Sequence, residues 1–386
     1  VRVTKVIEAV TIGYQPSWEK WPDTLDMGFD SVMAKRQDGH YTINGEPVTV
    51  RMRWYPVHRT YIGANIHVLP VQHPFIVNTM PPPQPVLDWW VRDLEALAAS
   101  GVTLVLWEHA YQCYPPVAQH LKRLFKHSIL IHGDDCPGST EIKTAPIAQY
   151  FDSVFHGNLI WTAPGEKTAD LYHRLGVQDT HYLTLGPTGG FTPTLPGGAP
   201  FDLDQRIQQL SEQRYLHDVV FAGSMMGTYR QRYNEPEATA LFNAAGLKVK
   251  LYGVGMRDGP LVPRIPSTIG KPVGQLYAAA FSTVNIQFIG LISTRSYDAW
   301  SSGTLLVQYD PVHELDPIGI LPGVHYAHYD GTVQGLINTV RYYQHHFDEA
   351  ERILRAGYEI GPKLQAEYNM TRAVERVLAK FASKWS

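Results

Sequence analysis

Cysteine is nearly absent: Cys113 and Cys136 are the only two in 386 residues. They form no disulfide framework and no metal-ligand spacing, so a reducing, cytoplasmic setting is expected. Charge is also sparse and balanced, with 33 Lys and Arg against 36 Asp and Glu, a net charge of −3. A broad nucleic-acid footprint needs a strongly basic face, so no stable nucleic-acid binding is expected. The one basic run, H-L-K-R-L-F-K-H at 120–127, reads as a solvated helix face. No uninterrupted apolar run approaches the ~18–20 residues of a membrane span. The opening V-R-V-T-K-V-I-E-A-V is too short and too charged for a signal-peptide core. No D-x-D stands on a loop where it could hold a donor's metal ion. The histidines at 325 and 328 and at 345 and 346 make no convergent ligand set. Metal-independent chemistry is therefore expected.

What is present is a long alternation of strand-like and helix-like segments. The first sixty residues lean to strand, with Asp38-Gly39 and Asn44-Gly45 as turn signals inside hairpin material. M-P-P-P-Q-P at 80–85 is a loop. Then come a helix stopped by Gly101, a buried strand at 102–107, a helix opened by prolines at 115–116, and the strand S-I-L-I-H. I-A-Q-Y-F and S-V-F-H-G-N give one more helix and strand. Residues 186–203 are the densest in glycine and proline and read as a linker. A second alternation begins with the strand D-V-V-F-A-G-S at 218–224 and a helix ending at Gly246. The strand 247–255, the short helix V-G-Q-L-Y-A-A-A-F, the strand S-T-V-N-I-Q-F, H-Y-A-H-Y and an amphipathic helix from Val333 follow. Strands alternating with helices imply parallel, doubly wound sheets, and the length implies two domains.

The sharpest chemical signal is S-T-R-S-Y-D-A-W-S-S-G-T-L-L-V at 293–307. Arg295 suits a phosphate, and Asp298, one helical turn on, suits a pair of sugar hydroxyls. Gly303 is a helix stop before the apolar run Thr304–Val307. Gly223-Ser224 follow a strand directly, where backbone N–H groups can approach a diphosphate, and Arg230 lies within two turns of that loop. Gly253 ends another strand and could let a nucleobase lie against backbone. Tyr277 reads as either a base or sugar contact or a core aromatic, and Ser302 and Thr304 as phosphate donors.

The 293–307 segment resembles the donor motif of GT-B glycosyltransferases of the group 1 type, most closely the spore-maturation-protein branch, R-x-[FY]-E-x-x-A-x-G-x-x-[LV][LV]. Arg295, Tyr297, Gly303, Leu306 and Val307 fit it. Asp298 stands where the family has Glu, and Gly290 where many relatives carry a second Glu. V-V-F-A-G-S with Arg230, V-K-L-Y-G-V-G and the tail V-R-Y-Y-Q-H-H-F-D-E-A-E-R extend the likeness over most of 218–382. In the first half it rests mainly on I-H-G-D-D-C-P. The resemblance implies an α/β GT-B fold of two Rossmann-like, doubly wound domains facing a central cleft. Residues 1–195 would form the acceptor domain and 205–370 the donor domain, with a last helix near 371–386 packing back onto the first. It implies transfer, with retention favoured, from a nucleotide-diphosphate sugar as co-substrate to a hydroxyl or amine of a small molecule or glycan, with no cofactor. A catalytic base would stand at the end of a first-domain strand: His109 beside Glu108, or His132, Asp134 and Asp135. A degenerate GT-B-like nucleotide-binding protein and a glycosyltransferase of a modified DNA base are the alternatives.

Overall fold

The computed structural model describes residues 5–12, 39–43, 46–55, 84–99, 101, 104–108, 115–125, 127–132, 157–160, 166–174, 180–184, 186–187, 191–223, 233, 235–252, 271–286, 292–310, 313–368, 372–373 and 376. The described residues up to Leu183, with 372–376, belong to one compact unit, and those from Thr184 to Tyr368 to a second.

The first unit is built on a seven-stranded sheet. Its strands are Lys5–Ile12 (β1), Gly39–Ile43 (β2), Glu46–Tyr55 (β3), Leu104–Glu108 (β4), His127–His132 (β5), Gly157–Ile160 (β6) and Thr180–Tyr182 (β7), in the order β2-β3-β1-β4-β5-β6-β7. The expected hairpin is there: β2 and β3 are antiparallel, with Ile43 opposite Glu46. However, β3 also pairs in parallel with β1 along eight residues, so the hairpin is part of the main sheet. All other pairs are parallel. The helices Gln84–Ala99 (α1), Pro115–Leu124 (α2) and Glu166–Arg174 (α3) supply Leu94, Leu121 and Leu171 to a core that includes Val105, Ile129 and Leu130. With α3 and β7 the alternation runs one unit further than the sequence suggests.

The second unit has five parallel strands: His217–Ala222 (β8), Val249–Tyr252 (β9), Ala280–Asn285 (β10), Leu305–Gln308 (β11) and Ala327–His328 (β12). Their order is β12-β11-β10-β8-β9. Along β8, Val219 and Phe221 enter the larger core with Phe242, Val284, Val307, Ile337 and Ile353, while Val220 packs on the other face with Val273 and Tyr277. That period of two, apolar on both sides, marks a strand covered by helices on both faces. The helices are Leu203–Ser211 (α4), Pro236–Ala244 (α5), Lys271–Ala278 (α6), Thr294–Ser301 (α7), Val333–His345 (α8) and Phe347–Tyr368 (α9). Local chemistry sets their starts: Asp202 accepts from Gln205 N at 2.8 Å, Thr332 from Gly335 N at 2.8 Å, and a proline opens α5.

Three details depart from the sequence reading. The stretch 186–203 is folded into the second unit, with Thr194 bridged to Pro200, Leu195 buried and a 3₁₀ turn at Pro196–Gly198. The helix expected to run through Phe281 stops at Ala278, and Ala280 and Phe281 begin β10. They enter opposite cores, as strand geometry requires. Here the fully buried Arg206 donates Nη2 to the carbonyls of Tyr277 and Ala280, and desolvation lowers its pKa to about 10.

The third is α9, which the sequence reading left unassigned, a 22-residue helix despite Gly357, Gly361 and Pro362 within it. Gly357 is required because Trp300 of α7 lies directly on it. A Cβ there would meet Trp300 Nε1 at 2.9 Å and Cγ at 3.2 Å. The same indole donates to His325 O at 2.8 Å, which fixes its position. Gly357→Ala should therefore destabilise the protein by about 1–3 kcal/mol in urea unfolding through overpacking. In a Trp300→Leu background the same substitution should gain about 0.5–1 kcal/mol from helix propensity. The same sign in both backgrounds would show that the indole is not the constraint.

Candidate functional site

From β8 the chain crosses through α5 to β9 on one side, then returns through α6 to β10 on the other. The carboxyl ends of β8 and β10 are thus a topological switch point, where open parallel sheets form a crevice for ligands. Arg295, in the first turn of α7, lies across those two ends. Its Nε donates to Ala222 O at 2.7 Å and its Nη1 to Asn285 Oδ1 at 2.8 Å. Its Cζ lies 4.4 Å above the Phe221 ring. Gly223, next after β8, makes room for it: a Cβ there would run into the Arg295 guanidinium and come within 3.3 Å of the Phe221 ring. Gly223 is held in turn by its N–H to Tyr252 O at 2.9 Å.

The helix start beside Arg295 is rich in hydroxyls. Ser293 is the N-cap of α7, and the Oγ atoms of Ser293 and Ser296 are buried with no hydrogen-bond partner among the described residues. Unmet hydroxyls at a positive helix end are groups an anion's oxygens would satisfy.

The far end of α7 is different. Ser302 Oγ donates to Asp298 O at 2.6 Å and lies 3.1 Å from Thr304 Oγ1, which donates to Tyr277 O at 3.2 Å. Gly303 N bonds Trp300 O and Thr304 N bonds Ala299 O, a Schellman cap. Eight residues of helix set this end roughly 12 Å from its start. Ser302, Gly303 and Thr304 therefore close α7 at the opposite edge of the sheet, with both hydroxyls bonded to backbone carbonyls. Tyr277 is fully buried and edge-on to Phe191 at 6.0 Å. Burial, then the Asp298 carboxylate, push its phenol pKa up, against the pull of Arg295. Asp298 lies within one turn of Arg295 but is only 2% exposed.

The structure thus brings Gly223 and Arg295 together, with Asn285 and Phe221, which the sequence reading passed over, as it did Ser293 and Ser296 flanking Arg295 in the first turn of α7. The polar Asn ending an apolar strand and the hydroxyls flanking Arg295 were the available signals. Ser224, Arg230, Gly253, His109, Asp134 and Asp135 lie outside the described residues, as does Gly290. In the first unit Glu108 ends β4 and His132 ends β5, neighbouring parallel strands. β4 also lies beside β1, at that sheet's own switch point. Among the described residues no three His, Cys, Asp or Glu converge, and no helix is long and apolar enough to cross a membrane.

No protein-family model and no curated protein matches the sequence. Solved structures match its fold. The structure of Anabaena Alr3699/HepE in complex with UDP-glucose aligns with a TM-score of 0.55 at 12% identity, over 97% of this chain and 99% of that one. A glycosyltransferase from Rickettsia africae ESF-5 aligns at 0.52 and 9% identity, over 98% and 97%. TarM aligns at 0.51 and 12% identity, over 77% and 58%. With two Rossmann-like α/β units aligned over nearly the full length of the first two of these structures, the chain has the GT-B fold.

Proposed function

We propose that the protein is a glycosyltransferase that moves a sugar from a nucleoside-diphosphate sugar to a hydroxyl or amine of a small molecule or glycan. The observation that carries this reading is Arg295, pinned across the ends of β8 and β10 beside the side-chain-free Gly223. A leaving diphosphate needs fixed positive charge where its own charge develops. Arg295 and the first turn of α7 supply it, so the transfer we propose is metal-independent. Ser293 and Ser296 add hydroxyl donors for the phosphate oxygens. The complex of Alr3699/HepE with UDP-glucose supports a uridine donor as the first to try.

Asp298 is the proposed ribose partner, and it reaches two hydroxyls only by turning out of its buried position. The first unit takes the acceptor; of the helix expected near 371–386, only 372–373 and 376 are among the described residues. Glu108 and His132 stand at strand ends suited to a base, with His109, Asp134 and Asp135 following in the chain. In the retaining mechanism we favour, the departing phosphate takes the acceptor proton. The resemblance to the spore-maturation-protein branch belongs to this same proposal.

A second reading, a nucleotide-binding protein without transfer, is favoured by the burial of Asp298 and by Gly290 in place of a second carboxylate. Slow release of glucose from UDP-glucose without acceptor separates the two. Hydrolysis supports the enzyme, and tight binding without it supports the degenerate form.

Thermal unfolding with UDP, GDP, ADP and dTDP tests the donor site. At 100 times its dissociation constant, one of them should stabilise the parent by about 2.7 kcal/mol. Arg295→Met should abolish that shift. Gly223→Ala should abolish it too while costing no more than about 1–3 kcal/mol of stability, because the new Cβ displaces the guanidinium. No shift with any nucleotide in the parent would overturn the donor-site reading. Asp298→Ala should erase the preference for a ribonucleoside diphosphate over its 2′,3′-dideoxy counterpart. An unchanged preference would remove Asp298 from the ribose.

A further inference from the structure

Behind Arg295 lies a polar chain of which the donor-site reading uses only the first link, Asn285. Asn285 ends β10 and Gln308 ends β11, neighbouring parallel strands, and both side chains are fully buried. Arg295 Nη1 donates to Asn285 Oδ1 at 2.8 Å, and Asn285 Nδ2 donates to Gln308 Oε1 at 3.0 Å. The direction is fixed by chemistry. A guanidinium only donates, so Asn285 must present its oxygen to Arg295 and its amide nitrogen to Gln308. Gln308 then turns its oxygen inward, and its Nε2 has no partner among the described residues.

We propose that Asn285, oriented by Gln308, is the positioning residue that aims the Arg295 guanidinium at a nucleoside diphosphate and so sets the affinity for the diphosphate rather than the nucleoside. This inference rests on the donor-site reading above. Arg295 has several rotatable bonds, and the contact of Nε to the Ala222 carbonyl sets one point of its fork. The contact to Asn285 at Nη1 sets a second point and so the direction of the fork. With Nε and Nη1 both tied, and the Phe221 ring under Cζ, Nη2 is set over Gly223 at the switch point. Planar recognition of phosphate depends on that orientation as much as on the charge. Gln308 does for Asn285 what Asn285 does for Arg295. Without it the amide could rotate and offer its nitrogen to a cation. The buried amides therefore transmit order from β11, across β10, to the end of β8.

The test is a double-mutant cycle read by calorimetric titration. The probes are whichever of UDP, GDP, ADP and dTDP binds the parent most tightly, its nucleoside, and inorganic pyrophosphate. Asn285→Ala should weaken the diphosphate and pyrophosphate by about 10–100-fold, the span of a charge-assisted hydrogen bond lost through misorientation. It should leave the nucleoside within a factor of two or so, and in an Arg295→Met background it should cause no further loss. Gln308→Met should show the same pattern with a smaller loss, and it carries the test if Asn285→Ala does not give a cooperative melt. A merely structural role would weaken nucleoside and diphosphate alike, and would do so in both Arg295 backgrounds; that result overturns the proposal. Unchanged diphosphate affinity in Asn285→Ala and Gln308→Met overturns it too while leaving the donor site standing. If the parent binds neither pyrophosphate nor any of the nucleotides, the donor-site reading fails and this inference falls with it.

Discussion

The sheet ends of the second unit are organised around the buried cation Arg295. Placing a guanidinium away from water is costly unless its N–H groups are met, and Arg295 meets that condition by using the strand ends themselves. The carbonyl of Ala222 comes from β8 and the amide of Asn285 from β10. A single side chain thus joins the two strands whose connections diverge. Gly223 has no side chain to obstruct it, and Phe221 offers its ring face beneath it. The position of α7, which carries Arg295, is therefore part of the site.

Several contacts fix that helix. Trp300 is seated on Gly357 of α9 and bonded to His325 O. Tyr297 shares a hydrogen bond with Thr184, whose own N–H bonds Tyr368 O at 2.8 Å. Thr184 and Tyr368 are the first and last described residues of the second unit, so its entry and exit are joined to each other and, through Tyr297, to the helix bearing Arg295. The Schellman cap at Gly303 then ends α7 and turns the chain into β11. Side chains on the inner faces of one short helix thus serve the core, the chain crossings and the charge at the switch point. That explains why six consecutive residues of it, Arg295 to Trp300, are buried.

Much of this was legible from the residues. The strand-and-helix alternation, the Asn44-Gly45 hairpin and the Gly303 stop all have local causes: period and turn chemistry. The helix through Gly357 and Pro362 was not legible, because its intrinsic propensity is poor and its stability comes from packing against Trp300. The end of α6 was misplaced for a related reason. A-A-A-F is a good helix continuation, and only the two cores on either side of β10 make Ala280 and Phe281 a strand.

The two ends of α7 separate what the sequence determines from what the fold decides. By itself the sequence determines that residues 293–304 hold a cation and a carboxylate one turn apart, with hydroxyls on both sides and a glycine stop. It does not say which hydroxyls share the cation's edge of the sheet, because Ser293, Ser296, Ser302 and Thr304 are all close to Arg295 in the chain. The parallel crossover decides it. A helix that follows a strand starts at the sheet's carboxyl edge and runs back toward the other. Ser293 and Ser296 therefore lie with Arg295 at the switch point, and Ser302 and Thr304 are carried to the opposite edge. Asn285 is ten residues upstream, on a different element, and only the pairing of β10 between β8 and β11 brings its amide to Arg295.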